Sequence, residues 1–294
     1  MSIDHSFYQL KFKSYQRPFR RPLHTSHGIW RVREGIIIEI TDPLNQIGKG
    51  EIAPLPWFGS ETLEEALEFC QQLGNLVTKE NIKNIPDRLP ACQFAFESAL
   101  TNSLEHNFLD ETKNSSLSHA YLLPAGESAL TAWQTKTSHN NLKAQITFKW
   151  KIGVDSLKKE IRIAQKLLEL LPPHAKLRLD ANGGLDIRQA KHWLELAEQT
   201  KKIEFIEQPL PPQQFTEMLA LSQDYSTALA LDESVANLDR LEECVDRGWQ
   251  GIFIIKAAIF GKPSRLRHFC QQHSLDLVFS SVFETEIGRQ SALQ

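Results

Sequence analysis

Phe148-Lys149-Trp150-Lys151-Ile152-Gly153 is a short β-forming run that carries two lysines one residue apart. Side chains along a strand alternate between its two faces. Lys149 and Lys151 therefore project from one face, and Phe148, Trp150 and Ile152 from the other. A strand that packs its aromatics against helices and aims two ammonium groups inward puts charge where water is scarce, which is costly unless carboxylates answer it.

Downstream, the sequence supplies them in a repeating texture of short apolar strand, charged strand end, polar loop and amphipathic helix. The predicted strands are Ala120 to Leu123, Ala144 to Lys151, Lys176 to Asp180, Ile203 to Glu207, Ala228 to Asp232, Gly251 to Lys256 and Asp276 to Ser280. From Lys151 onward their ends are spaced by 29, 27, 25, 24 and 24 residues, one βα unit each time. That regularity predicts a parallel sheet closing as a barrel rather than a doubly wound sheet. Continuing the period puts an eighth strand end roughly ten residues past Gln294, so the barrel is expected to lack its eighth strand within this chain.

Five consecutive strands end in a titratable residue: Lys151, Asp180, Glu207, Asp232 and Lys256. Barrel active sites lie at the C-terminal strand ends, so these side chains are expected to converge on one mouth. Asp180, Glu207 and Asp232 on adjacent strands are the hard oxygen donors that Mg²⁺ prefers. Taken singly, Asp180 before Ala181-Asn182-Gly183 and Asp232 before Glu233-Ser234 also read as helix caps. Capping does not account for the joint pattern. Lys149 and Arg178 read as ion-pair partners that hold the carboxylates in place.

The first third of the chain has a different character. Phe7 to Phe19 and Gly35 to Ile40 are β-forming, and Arg20 to Arg33 between them reads as a long hairpin loop, either a solvated tip or a flap over a ligand. A second loop, Gly50 to Gly59, exposes aromatics. A helix is expected from Ser60 to Leu73, with Glu61 and Glu64 in its first turn, and another from Pro90 to about Leu104 with one wide apolar stripe. A polar, Ser/Asn-rich stretch at 107–118 suggests a boundary, giving an α+β capping domain over 1–112 and a barrel domain over 113–294.

Composition narrows the partners. With 33 basic and 36 acidic residues the net charge is −3, which gives no reason to expect nucleic acid or a membrane surface. No segment approaches the roughly 20 apolar residues of a membrane span. Cys70, Cys92, Cys244 and Cys270 have no metal or disulfide spacing, which fits a reducing cytoplasm. A small molecule is the expected ligand, and oligomeric state is not legible.

The motifs Lys149-Trp150-Lys151, Leu179-Asp180-Ala181-Asn182, Ile206-Glu207-Gln208-Pro209, Leu231-Asp232-Glu233-Ser234 and Ile255-Lys256 resemble those of the enolase superfamily, within it the muconate-lactonizing subgroup. The resemblance covers almost the whole chain. It implies a modified TIM barrel of the (β/α)₇β type with an N-terminal α+β capping domain, and Mg²⁺ or Mn²⁺ held by Asp180, Glu207 and Asp232. Lys151 would be the base that removes a proton α to a carboxylate, and Lys256 the cation that stabilises the resulting charge. Lys149, Arg178, Asn182, Ser281 and His27 are the candidates for binding substrate. Arg21 to Gly28, Arg33-Glu34-Gly35, Tyr121 to Gly126 and Ser280 to Thr285 are similar to the subgroup's branch that dehydrates a cyclohexadiene carboxylate in menaquinone and phylloquinone biosynthesis, a carbon–oxygen lyase. The same lysines and metal also serve racemases of N-acylamino acids, dipeptide epimerases and cycloisomerases, and a barrel kept as a non-catalytic binding protein is a further alternative.

Overall fold

The computed structural model describes residues 6–25, 28–104, 119–137 and 146–294. The chain divides into two compact units, one of Met1–Ser115, Ala236–Arg240 and Ile255–Gln294, the other of Ser116–Val235 and Leu241–Ile254. The domain boundary expected at 112/113, the polar stretch around it and His27 lie outside the described residues.

The first unit begins with β1 (Tyr8–Thr25) and β2 (Gly28–Thr41), followed by β3 (Ile47–Ile52), α1 (Leu63–Leu73), β4 (Leu76–Val77), α2 (Lys79–Lys83) and α3 (Pro90–Leu104). The four strands form an antiparallel sheet in the order β3-β2-β1-β4. Ile36, Ile38 and Ile40 face its core, while Glu39 pairs across the strand with Lys49.

Three expectations are corrected here. The segment read as a loop from Arg20 to Arg33 is strand on both sides of residues 26–27, with a register shift between Pro18 and Leu23. Arginines and histidines interrupt the apolar alternation in the sequence and hid the strands, although Phe19 and Trp30 meet edge to face at 5.0 Å and Arg33 is buried. The first helix starts later than Ser60. Its N-cap is Thr62, which forms a reciprocal capping box with Glu65, while Ser60 Oγ instead accepts from the Leu55 amide. Finally, α3 is buried nearly all round rather than along one stripe, because β3 runs against one side of it and residues 257–259 against another. The β3 contact is backbone on backbone. A Cβ at Gly48 would lie 1.8 Å from the Ala99 carbonyl oxygen, and one at Gly50 2.0 Å from that of Ala95, so only glycine allows this approach.

The βα alternation follows as β5 (Ala120–Leu122), α4 (Ala129–Thr137), β6 (Thr147–Lys151), α5 (Leu157–Leu170), β7 (Lys176–Asp180), α6 (Ile187–Glu198), β8 (Ile203–Glu207), α7 (Phe215–Asp224), β9 (Ala228–Leu231), α8 (Leu238–Asp246), β10 (Ile252–Ile255), α9 (Pro263–Gln272), β11 (Leu277–Phe279) and α10 (Glu286–Leu293). These seven strands form one sheet whose order is the chain order, parallel at every pairing from β5 to β10. This is the wall of a βα-barrel, with the seven strands read from the sequence. The lysine strand behaves as alternation requires. Phe148 and Trp150 are fully buried on the helix side, where Trp150 meets Trp193 of α6 edge to face at 6.2 Å between ring centroids.

Candidate active site

The ends of β6, β7 and β8 are in register, Lys151 opposite Asp180 and Asp180 opposite Glu207. Asp232 follows β9 directly, and all three carboxylates are buried. The Lys149 ammonium lies 2.6 Å from Glu207 Oε1 and 2.9 Å from Asp180 Oδ2, so two carboxylates from neighbouring strands face a single point. Burial pulls the Lys149 ammonium down, but Glu207, Asp180 and Asp232 together outweigh it and hold the group above the usual lysine range. Burial pushes the Glu207 carboxyl up. Lys149 opposes that shift, and Asp180 and Asp232 add to it.

Three buried carboxylates around one ammonium leave an excess of negative charge. That excess and the hard oxygen donors fit a divalent cation such as Mg²⁺. Among the described residues no group of three or more His, Cys, Asp or Glu side chains stands in coordinating position. Asp180 and Glu207 are instead drawn onto Lys149, and holding an ion would turn them partly away from it.

The other candidates are distributed as follows. Lys151 is half-buried at the end of β6. Arg178 does not pair with these carboxylates. Its Nε donates to Glu204 Oε2 at 2.8 Å, and its guanidinium lies 4.8 Å from the Phe205 ring centroid. Strict alternation hides Glu204 as a partner, but the register jumps from Leu177↔Ile203 to Arg178↔Phe205, leaving Glu204 as the extra residue of a bulge. Asn182 has left-handed backbone (φ 45°), its amide N–H donates to Asp180 Oδ1, and its Nδ2 donates to Glu233 Oε1. Lys256 and Ser281 belong to the first unit. Lys256 is buried with Nζ 3.8 Å from the Phe58 ring centroid, and the Ser281 hydroxyl closes its own turn by donating to Glu284 and accepting from the Phe283 amide.

Two residues that sequence reasoning gave no role support the strand ends. Buried Glu160 of α5 accepts from the amides of Gly153, Val154 and Asp155, fixing the turn that follows Lys151. Gln208, next to Glu207, is fully buried and bonds both ends of its side-chain amide. Glu160 had a signal as an acidic residue in a first helical turn; Gln208 had none beyond its place in a motif.

This βα wall with carboxylates on consecutive strand ends defines an enolase-type barrel. The family model described as "Enolase C-terminal domain-like" matches residues 141–294, and that described as "MenC, N-terminal domain" matches residues 8–103. Over 283 residues the chain is 42% identical to the o-succinylbenzoate synthase of Thermosynechococcus vestitus, covering 95% of this chain and 85% of that one. It is 29% identical to the o-succinylbenzoate synthase of Aliivibrio salmonicida, at 95% and 83% coverage. The crystal structure of o-succinylbenzoate synthase from Thermosynechococcus elongatus, complexed with Mg in the active site, superposes with a TM-score of 0.87 at 41% identity, covering 97% of this chain and 88% of that one. The L-Ala-D/L-Glu epimerase from Bacillus subtilis, at 20% identity and a TM-score of 0.80 over 97% of this chain and 85% of that one, shares the fold. The chain belongs to the o-succinylbenzoate synthase family of the enolase superfamily.

Proposed function

We propose that this chain dehydrates 2-succinyl-6-hydroxy-2,4-cyclohexadiene-1-carboxylate to o-succinylbenzoate, a step towards menaquinone or phylloquinone. The observation that carries the reading is the convergence of Asp180 and Glu207 on one buried point, with Lys151 in register beside them. Family membership supports the choice of substrate.

Asp180, Glu207 and Asp232 would hold Mg²⁺, which when bound supplies positive charge to the substrate carboxylate and so makes the adjacent C–H more acidic. Lys151 Nζ takes that ring proton. The electron pair left behind forms the new ring double bond as the C–O bond to the neighbouring hydroxyl breaks, and the same Nζ returns the proton to the departing oxygen. Water leaves and the ring becomes aromatic. A single base serving both steps works on one face of the ring, so the elimination is syn. Lys149 keeps two carboxylates oriented, and Asn182, Arg178, Ser281 and His27 are assigned to substrate binding. Lys256 is assigned to charge stabilisation on the strength of its place at the end of β10. A cytoplasmic location is assigned on the ground that the four cysteines are thiols rather than disulfides.

The test is turnover of the cyclohexadiene carboxylate, followed by ultraviolet absorbance or proton NMR of the aromatic product, with Mg²⁺ and then with excess chelator. Metal-dependent appearance of product is expected. Racemisation of an N-acylamino acid or a dipeptide without any dehydration would overturn the reading.

A further inference from the structure

Gln208 sits where its backbone is least at ease. Its φ of 37° lies in the left-handed region, and it precedes Pro209, whose ring favours extended backbone in the residue before it. Strain of this kind persists only where surrounding contacts over-determine it. Here they do. The Gln208 amide N–H donates to the Ala230 carbonyl at 2.7 Å, and its carbonyl accepts from the Gly183 amide at 2.7 Å. Side-chain Oε1 accepts from the amides of Asp232 at 3.0 Å and Ser234 at 3.1 Å, while Nε2 donates to Ser234 Oγ at 2.8 Å and the Leu210 carbonyl at 2.9 Å. The orientation of the amide is fixed by its partners, because only the oxygen can receive two backbone N–H groups.

These bonds run to a particular set of places. Gly183 belongs to the turn after Asp180, Gln208 adjoins Glu207, and the bond to Asp232 is to the backbone of that carboxylate itself. One fully buried residue therefore ties together the three strand ends, its main chain bonding to Gly183 after Asp180 and to Ala230 of β9, and its side chain to the backbone of Asp232. None of its atoms needs to touch substrate or ion to do so.

We propose that Gln208 is the positioning residue that sets the mutual placement of Glu207 and Asp232, and thereby the affinity of the site for its divalent cation. The inference rests on the reading that Asp180, Glu207 and Asp232 hold that cation. Groups that orient metal ligands from outside the coordination sphere are worth roughly 10- to 100-fold in affinity or activity.

The experiment titrates Mn²⁺ into the full chain, following free Mn²⁺ by electron paramagnetic resonance, for wild type, Gln208→Met, Gln208→Glu, Ser234→Ala and Asp232→Asn, with a thermal melt of each. Gln208→Met keeps the length and apolar bulk but removes both hydrogen-bonding ends. Its Mn²⁺ dissociation constant is expected to rise by roughly 10-fold or more. Gln208→Glu, which retains the oxygen facing Asp232 and Ser234, should restore part of that loss. Ser234→Ala removes only the bond from Gln208 Nε2 to Ser234 Oγ and stays informative should both Gln208 variants fail to fold; a smaller rise is expected. In turnover assays the Mg²⁺ concentration for half-maximal rate should rise in the same order, which a purely structural role would not produce, since that lowers the folded fraction and leaves affinity per folded molecule unchanged. Wild-type affinity in the folded Gln208 variants, or in Ser234→Ala if it alone folds, overturns the inference provided Asp232→Asn binds weakly. Wild-type affinity in Asp232→Asn instead overturns the reading of the carboxylates.

Discussion

Lys149 and Glu207 meet at 2.6 Å although β7 lies between their strands. The contact is made over the face that also bears Asp180, and Lys149 reaches that carboxylate with the same nitrogen. The lysine is thus a standing counter-charge to Glu207, whose carboxyl burial and the neighbouring Asp180 and Asp232 push towards its neutral form. Replacing it by Met should cost about 3 kcal/mol or more in the presence of chelator, the usual loss when one partner of a buried pair is removed. Mg²⁺ should recover a larger share of the melting temperature in Lys149→Met than in wild type, because only there does the ion supply the missing charge. Equal Mg²⁺-dependent shifts in the two proteins would count against this account.

Adjacent residues on β6 should fail in opposite ways. Lys151→Ala is expected to lower turnover by roughly 100- to 10,000-fold, the range for loss of a general base, with little change in melting temperature or Mn²⁺ affinity. Trp150 is fully buried against Trp193, so Trp150→Ala should destabilise by about 3–5 kcal/mol, while the molecules that remain folded keep most of their turnover. Parallel activity and melting measurements on the two variants decide the matter. Full turnover in Lys151→Ala would remove it as the base.

The cysteines give a prediction with a pH sign. Burial, and secondarily Glu61, push the Cys70 thiol up to about 12. A thiol whose folded value is raised contributes stability that is intact below its unfolded value of about 8.5 and is lost as pH climbs from there towards about 12. Cys70→Ala should therefore flatten the alkaline fall in stability over that window. At pH 8 iodoacetamide should modify Cys270, the half-exposed thiol, and spare Cys70, Cys92 and Cys244 until denaturant is added. Mass spectrometry of the alkylated peptides checks it; rapid native labelling of Cys70 would contradict the burial.

The strands of the βα wall were legible because each couples a short apolar run to a charged end at near-constant spacing, a pattern that one sequence displays in full. The same was true of Asp180, Glu207 and Asp232, whose positions follow from register alone. What escaped depended on departures from ideal periodicity. The Arg178 partner, Glu204, became available only through a bulge, and Gln208 acts from a left-handed position that alternation does not anticipate. The outer part of the β1–β2 ribbon was missed for a different reason: its arginines interrupt the apolar alternation, and one of them, Arg33, is itself buried.

A buried carboxylate in the first unit yields the last prediction. Glu51, on β3, is fully buried yet accepts from the Thr285 amide at 2.8 Å, the Gly288 amide at 3.0 Å, the Tyr15 hydroxyl at 2.5 Å and the Thr285 hydroxyl. Two of these donors are amides at the start of α10, which have no partner within their own helix, and a carboxylate there also suits the positive end of the helix dipole. Burial, and then the neighbouring Glu51, hold the Tyr15 phenol well above its usual range, so it stays a donor throughout the working pH. Glu51→Leu would leave several buried donors unsatisfied at roughly 1–3 kcal/mol each. Glu51→Gln, which keeps one acceptor oxygen, should lose less. The damage should be local before it is global, because Glu51 is what the first turn of α10 is bonded to on β3. Hydrogen exchange of the Thr285 and Gly288 amides is expected to accelerate in Glu51→Leu by more than the fall in overall stability explains, with Glu51→Gln intermediate. Exchange at these amides that merely tracks global unfolding would show that α10 is held by its apolar contacts and that Glu51 does not anchor it.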